Sequence, residues 1–418
     1  MSILDFFNKH YNQIKHGGVD VLKKKIFSFS FSFFIEYILA LFVYLLIKII
    51  KPFILIRFSL IRSDAMGELT VSTELYFAEK KLNINVPKRR YLDLFVRKKK
   101  ICNYYLYEKK KRNLIVLPNY VFECVVNIIN FFNDKKHICA NYNADRDIYH
   151  VFDNVQCNFF FNKIETNKGK FFLKSVGVNE NSKFVCVYVR DKAYFGYKPA
   201  SNYRNSDIDN FIPAIKYLLS ENYFVFRMGS KVEKELKINN PNFFDYATNG
   251  MRTEFLDIFL GTNCYFCITT GSGFDGIPVS ARRPTVLASF APLNYFWSYN
   301  SKNIFIFKHY VNFQSNKKLS IREIFDSGVS QSLNAEEFLL KGVKLEENSS
   351  KEILDVTVEM NLRLKQKWKE TKKSKYLSDS FFSRLDKYAI GYNQKKLHNQ
   401  FKCKVGSNFL IKNRYLFE

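Results

Sequence analysis

The stretch CYFCITTGSG (residues 264–273) joins a short apolar run to a loop with two glycines. The run is rich in aromatic and apolar residues, which predicts a buried strand. Gly271 and Gly273 then predict a tight turn, and the residues through Ala281 predict a helix. A strand that leads through a glycine loop into a helix is typical of α/β proteins with parallel sheets.

The same alternation extends in both directions along the chain. Further strands are predicted at 53–62, 91–96 and 114–118, and then at 183–191, 223–229 and 284–288. A polar stretch at 141–170 separates the two series. We therefore predict two Rossmann-like domains with parallel sheets, at 53–180 and 181–345. A C-terminal helical extension is expected at 346–418, in which residues 350–373 form one long basic helix.

The chain of 418 residues is strongly basic, with 65 Lys and Arg against 39 Asp and Glu and a formal charge of +26. Such a charge attracts polyanions, including nucleic acid, anionic lipid and phosphorylated substrates. The sequence contains no recognised nucleic-acid-binding module, so we expect no nucleic-acid partner. The eight cysteines form no disulfide-like framework, which favours reduced thiols in a cytoplasmic compartment.

Residues 1–52 predict a basic and hydrophobic membrane-associated segment. Positions 26–50 are nearly all apolar, which is long enough for a bilayer span of about 20 residues. However, Glu36 lies within the run and lysines flank both of its ends, which favours an in-plane helix or a re-entrant hairpin on an anionic membrane surface. A buried core helix is the alternative.

Polar residues at the ends of the predicted strands are the candidates for ligand binding, because ligands of doubly wound sheets bind beyond the carboxyl ends of the strands. In TTGSGFDGIP (269–278), the glycines and a serine hydroxyl suit an anion such as a diphosphate. The alternatives are a purely structural turn and, for each arginine, a structural ion pair. The predicted donor-binding residues are Arg190, Arg204, Asn205, Asp207, Arg227, Gly229, Ser230, Gly271, Ser272 and Gly273.

Carboxylates near strand ends are the candidates for proton transfer. The loop SDAMGE (63–68) follows the first strand, and Glu68 or Asp64 could accept the proton of an attacking hydroxyl. Asp191 is a further candidate. Alternatively, Asp64 and Glu68 only favour a helix N-terminus electrostatically.

Two other motifs have a simpler explanation. The string Asp145-Arg146-Asp147 resembles a metal-binding pair, but it follows no apolar strand, which favours a loop role and no metal site. Cys264 and Cys267 have C-x-x-C spacing but lie in the apolar run, which favours structural packing over redox chemistry.

Several strings occur together in a fixed order: VRD (189–191), YRNSDI (203–208), RMG (227–229) and GSG (271–273). With DRD at 145–147 and FLIKN at 409–413, they resemble a bacterial family of glycosyltransferases associated with surface polysaccharide, O-antigen or capsule synthesis. The SDAMGE loop is also similar to the first loop of bacterial heptosyltransferases, which carries an acidic base after the glycine. That similarity assigns the base to Glu68.

The resemblance implies a GT-B fold, with the donor nucleotide in the C-terminal domain and no requirement for metal or cofactor. The expected partners are a nucleotide-sugar donor, a lipid-linked or growing glycan acceptor and the anionic membrane surface. The expected location is the cytoplasmic face of the bacterial inner membrane. A non-catalytic membrane-associated scaffold in polysaccharide assembly is the alternative.

Overall fold

The computed structural model of the protein describes residues 31–139, 147, 149–194, 199–296, 300–388 and 401–418. The basic stretch 1–25 and the start of the apolar segment lie outside the described residues, as do Asp145 and Arg146. Helices alternate with strands, and the larger sheets are parallel, so the predicted α/β class is confirmed.

The α-helices are α1 (Phe31–Ile50), α2 (Met66–Lys81), α3 (Tyr104–Lys111), α4 (Tyr120–Phe131), α5 (Val151–Asn154), α6 (Lys163–Ser175), α7 (Ile212–Ser220), α8 (Glu254–Asn263), α9 (Gly276–Ser280), α10 (Ile321–Asp326), α11 (Ala335–Leu340), α12 (Ser350–Leu364), α13 (Lys372–Tyr388) and α14 (Ser407–Lys412). The strands are β1 (Leu55–Ile61), β2 (Tyr91–Arg97), β3 (Val116–Leu117), β4 (Phe184–Tyr188), β5 (Phe224–Met228), β6 (Phe243–Phe244), β7 (Phe266–Thr269), β8 (Thr285–Phe290), β9 (Ile304–Phe307), β10 (His309–Asn312), β11 (Val343–Glu346) and β12 (Lys404–Val405).

The chain forms two compact units that interleave along the sequence. Unit 1 comprises residues up to Ile61, Pro87–Lys99 and Asn113–Asn141. Unit 2 comprises Arg62–Val86, Lys100–Arg112 and the residues from Tyr142 onward. Helices α2 and α3 therefore belong to unit 2, although the strands before and after them belong to unit 1.

Unit 1 contains a three-stranded parallel sheet in the order β1-β2-β3, together with helices α1 and α4. The two helices pack against each other, and Phe58 of β1 and Val96 of β2 share their apolar core. Arg57 and Asp93 form a buried ion pair between β1 and β2, with 2.7 Å from Nε to Oδ1. This pair adds a side-chain link between two strands that are also joined by their backbones.

Unit 2 contains a seven-stranded sheet in the order β12-β9-β8-β7-β4-β5-β6. All of its neighbouring strands are parallel. The central strands are buried along their whole length, as expected for a sheet covered on both faces. Cys267 lies in β7 and Cys264 just before it. Both are buried, as their apolar context predicts, and burial raises the pKa of the Cys267 thiol.

The structure corrects one helix and adds one observation on the N-terminal segment. The single helix predicted at 350–373 is wrong: α12 ends at Leu364 and α13 begins at Lys372. The chain turns between them at Gln366, whose φ of +57° is left-handed. Among the helices in the described ranges, none combines the length and apolar character needed to cross a membrane.

Candidate functional site

The strand order of unit 2 reverses between β4 and β7. From β4 the chain continues to β5 and β6 on one side, and from β7 it continues to β8 and β9 on the other. The loops that follow the two central strands therefore diverge at their carboxyl ends. Such a reversal point is where open α/β sheets form a ligand crevice, so the residues after β4 and β7 are the first candidates for a site.

The glycine loop after β7 is organised by a carboxylate of its own. Asp275 is fully buried and accepts hydrogen bonds from the Thr269 hydroxyl and the Ser272 amide, both at 2.5 Å. Gly271 has a φ of +81°, and a Cβ there would lie 2.6 Å from the Phe290 ring. Burial raises the pKa of Asp275 to about 6. The Ser272 hydroxyl, which the sequence predicts to bond an anion, also donates to this carboxylate at 3.3 Å and is thus engaged within the loop.

Three cationic residues are linked to this loop, either directly or through Asn205. Arg190, after β4, donates its amide to the Thr270 hydroxyl at 3.0 Å and its Nε to Asn205 Oδ1 at 3.3 Å. Arg204 donates to the carbonyl oxygen of Gly271, and Lys308, after β9, donates to that of Asn205. Predicted residues Arg190, Arg204, Asn205, Gly271, Ser272 and Gly273 are therefore brought together.

The environment of Arg190 and Lys308 disfavours the charged forms of their side chains. Burial, reinforced by the charge of Arg204, lowers the pKa of Arg190 to about 10. Burial also lowers the pKa of Lys308 to about 8, although the carboxylate of Glu347 opposes the shift. Cations held together out of water are stabilised by an anion that bonds to them. The cluster formed by Arg190, Arg204 and Lys308 is therefore suited to phosphate oxygens.

The loop before α2 lies directly against the glycine loop. A Cβ on Gly67 would lie 3.3 Å from Gly273 Cα, and one on Gly276 would lie 2.9 Å from Gly67 Cα. Glu68 follows in the first turn of α2, where its carboxylate accepts from the Ser72 hydroxyl at 3.3 Å. Asp64 pairs with Arg62 at 3.0 Å. The structure thus places the start of α2, which carries Glu68, against the predicted anion loop.

Arg227 pairs with a residue outside this cluster. It is fully buried within β5 and forms an ion pair with Asp245, with 3.0 Å from Nη1 to Oδ1. The sequence placed this arginine at a strand tip facing phosphate, and the structure instead gives it a partner inside the protein. Gly229 and Ser230 follow it, and a Cβ on Gly229 would lie 2.6 Å from Val232. The ion pair with Asp245 favours a structural role for Arg227.

Asp191 and Asp207 organise loops. The carboxylate of Asp191 accepts the amides of Ala193 and Glu233, at 2.9 and 2.8 Å. Asp207 caps the 3-10 helix Ile208–Phe211 and pairs with Lys234 at 2.8 Å, and that hydrogen bond lowers its pKa. Both carboxylates are therefore engaged in holding the backbone near the cluster, and Asp191 has no need of a catalytic role to explain its position.

Asp147, the one residue of the acidic string 145–147 within the described ranges, serves a local structural purpose. Asp147 accepts the amides of Val151 and Phe152, each at 2.8 Å, at the start of α5. Burial raises the pKa of this carboxyl. Across the described ranges, no group of three or more His, Cys, Asp or Glu side chains is arranged to hold a metal ion.

Sequence reasoning missed Lys308, Glu347 and Asp275 as parts of this site. Lys308 directly follows the apolar run Ile304–Phe307, so the strand-end rule used for Arg190 would have found it. Asp275 stands inside the quoted glycine motif. Glu347 offers no such signal, because its role depends on bonds to the Asp207 amide and the Asn210 side chain.

No protein-family model matches the sequence, and no curated protein matches it. Among solved structures, the chain is similar to a glycosyl transferase family 9 protein from Veillonella parvula DSM 2008, with 11% identity and a TM-score of 0.42 over 74% of this chain and 97% of that one. It is also similar to the ADP-heptose LPS heptosyltransferase II of E. coli, with 14% identity and a TM-score of 0.32 over 68% and 98% of the two chains. Likeness at this level establishes neither a shared fold nor a shared activity.

Proposed function

We propose that the protein is a glycosyltransferase that binds a nucleotide-activated sugar in unit 2 and transfers the sugar to an acceptor hydroxyl. The observation that carries the proposal is the convergence of Arg190, Arg204 and Lys308 at the strand-order reversal between β4 and β7. Each arginine guanidinium group can bind two phosphate oxygens at once, and a lysine adds a point charge. The diphosphate of a sugar nucleotide supplies the matching negative charge.

In the proposed reaction, the acceptor oxygen attacks the anomeric carbon and forms the new glycosidic bond. The bond from that carbon to the diphosphate breaks, and the nucleoside diphosphate leaves with the electron pair. The cationic cluster stabilises the negative charge that develops on the leaving group. Glu68 accepts the proton of the acceptor hydroxyl. The close approach of Gly67 to Gly273 supports this assignment, because it places the α2 N-terminus beside the glycine loop.

Glu68 is preferred over Asp64 and Asp191 because of its position. It directly follows Gly67, which lies against the glycine loop, in the first turn of α2. The finer features of the proposal rest on the family resemblance: a GT-B arrangement, no metal requirement, a lipid-linked or growing surface glycan as acceptor, and a location at the cytoplasmic membrane face. The eight free cysteines agree with a reducing compartment.

A thermal-shift screen against nucleoside diphosphates and their sugar conjugates tests the donor site. A ligand that binds the folded state raises the apparent melting temperature, so we expect one nucleotide to do so and inorganic phosphate to do so weakly. Arg190→Met should remove the shift. Arg322→Met is the matched control, because Arg322 forms an exposed i,i+4 pair with Asp326. Absence of a shift with every nucleotide contradicts the proposal.

The acceptor step is tested by release of the nucleoside diphosphate in the presence of a membrane glycan extract. Glu68→Gln should retain donor binding but lower the release rate by about 100-fold, within the usual range for loss of a general base. EDTA should leave the rate unchanged. A non-catalytic scaffold would release no nucleoside diphosphate in the wild-type protein. A nucleic-acid-binding protein would instead bind oligonucleotides in a salt-dependent way.

A further inference from the structure

Helix α1 of unit 1 has one face packed against protein. Ala40, Tyr44 and Ile47, spaced at i, i+4 and i+7, lie in the core that α1 forms with α4 and β1. Tyr44 also stacks on Phe132, with 5.5 Å between ring centroids. This spacing is that of a single helical stripe, and the partly buried Tyr37 and Val43 pack against the same core.

The opposite face of α1 is apolar and exposed, which is unusual for a surface helix. Phe42 is 66% exposed and Ile49 is 71% exposed. The face, called here the exposed α1 face, consists of Phe34, Ile35, Ile38, Leu39, Leu41, Phe42, Leu45, Leu46 and Ile49. Phe53, just after the helix, and Phe131 and Phe132, at the end of α4, are also exposed and extend the apolar surface.

The polar groups of α1 lie away from this face. Tyr37 accepts a hydrogen bond from Asn127 of α4 at 3.3 Å. Glu36 is half-buried, and its charge contributes to the raised pKa of Cys124 on α4, second to burial. Lys48 reaches Asp134 at 2.7 Å. The carboxylate that argues against a bilayer span is therefore on the side of the helix that faces α4.

Unit 1 is strongly basic around the end of α1. Its described ranges hold eleven lysines and arginines but four acidic residues. Three of those acidic residues are paired: Asp93 with Arg57, Glu123 with Lys98 and Asp134 with Lys48. Arg89 donates to the carbonyl oxygens of Lys51 and Pro52, where α1 ends. Further exposed basic residues precede β2 and follow α4 in the sequence: Lys88, Arg89, Arg90, Lys135 and Lys136.

We propose that the exposed α1 face inserts into one leaflet of a bilayer that contains anionic lipid, with the helix axis parallel to the membrane plane. An apolar face bordered by basic residues is the pattern of an interfacial helix, which lies about 5–10 Å deep at the boundary of headgroups and acyl chains. The helix cannot be surrounded by lipid on all sides, because its other face packs on α4. This inference is independent of the proposed sugar transfer.

The charges favour a bilayer over a second copy of the chain as the occupant. Two copies joined through the exposed α1 face would bring two strongly basic units together, and like charges at short range oppose association. An anionic lipid surface attracts the same lysines and arginines, with a contribution from each residue near the surface. The apolar area and the surrounding charge therefore point to the same partner.

Vesicle flotation with the full chain tests the proposal. We expect binding to vesicles of phosphatidylcholine with phosphatidylglycerol, and at least about 10-fold weaker binding to phosphatidylcholine alone. Phe42→Glu and Ile38→Glu should each reduce binding about 10-fold or more, because each places a charge at the inserted face. Leu340→Glu is the matched control, since Leu340 is an apolar residue of unit 2 that is 86% exposed. Circular dichroism melts show whether each variant is folded.

The in-plane orientation has its own readout. Ile38→Trp and Ile49→Trp place probes about 16 Å apart along the helix at a rise of about 1.5 Å per residue. Quenching by lipids brominated at defined depths should be the same for both probes if the helix lies in the plane. Unequal depths overturn the in-plane orientation. If the folded wild type fails to bind anionic vesicles, or if Phe42→Glu binds them as well as the wild type does, lipid is not the partner of the exposed α1 face. A dimer that Phe42→Glu dissociates, without vesicle binding, assigns the face to a second copy instead.

Discussion

Gly276 at the start of α9 lies against Gly67, so close that a Cβ on Gly276 would stand 2.9 Å from Gly67 Cα and 2.7 Å from Thr70 Oγ1. Both contacts involve groups of the α2 N-terminus, one of them backbone. The close approach fixes where α2, which carries Glu68 in its first turn, begins relative to the glycine loop. Two glycines from distant parts of the sequence thus determine whether the proposed base and the proposed anion loop are neighbours.

Gly276→Ala should lower the free energy of unfolding by about 1–3 kcal/mol, as overpacking in a tight contact does. Gly273→Ala is the control, because its Cβ would meet Gly67 N at 3.4 Å, an ordinary contact distance. Urea unfolding followed by circular dichroism measures both. Equal stabilities for the two variants would show that α2 can move away from α9 without cost.

Much of the fold could be predicted from local pattern. The strands β1, β2, β4, β5, β7 and β8 coincide with apolar runs that are bounded by polar or glycine residues. The break at Gln366 could not be predicted, because no proline or glycine marks the residue that adopts the left-handed conformation. The sequence analysis predicts no strand at the position of β9, although Ile304–Phe307 is as apolar as the others. The domain limits stay a prediction.

Residues of the candidate site could be predicted where their position at a strand end decides their role. They could not be predicted where the role depends on a side-chain partner from elsewhere in the chain. Arg190 and Arg227 look alike in the sequence, since each lies near the end of an apolar run and an acidic or small residue follows within two positions. Their roles differ because Arg227 meets Asp245 inside the protein, whereas Arg190 bonds to Thr270 and Asn205. A partner contributed by another loop is not visible in a local motif.

Asp245→Ala should be strongly destabilising, by about 3–5 kcal/mol, because it leaves the fully buried Arg227 without its counter-charge. The double variant Arg227→Met with Asp245→Ala should recover part of that loss, since no buried charge remains. Asp326→Ala, at an exposed pair with Arg322, should cost about 1 kcal/mol or less. If denaturant unfolding gives the same value for Asp245→Ala and Asp326→Ala, the ion pair is not what holds Arg227 in place.

Asp275 predicts a pH dependence of stability. Its pKa is raised from 3.8 to about 6 in the folded protein by burial. Between these values the folded state holds a proton that the unfolded state has released, so stability falls as pH rises from about 4 to 6. Asp275→Asn should remove this contribution, on the order of 3 kcal/mol at about 1.4 kcal/mol per pH unit. The difference in unfolding free energy between wild type and variant should therefore change across that interval. A constant difference from pH 4 to pH 7 would contradict the raised pKa.

Lys308 predicts a pH dependence of ligand binding. Its pKa is lowered to about 8, mainly by burial, so the side chain is charged at pH 7 and largely neutral at pH 9. Because a neutral amine no longer attracts phosphate oxygens, affinity for the best nucleoside diphosphate should fall about 10-fold or more over this interval. Lys308→Arg keeps its charge throughout and should flatten the profile, whereas Lys318→Arg should leave the wild-type profile intact, because the Lys318 side chain lies over the Tyr415 ring, 5.7 Å from its centroid, and not in the cluster. Isothermal titration calorimetry at pH 7, 8 and 9 measures the three proteins. If Lys308→Arg retained the wild-type fall in affinity, the titrating group would lie elsewhere and Lys308 would have no place in the phosphate site.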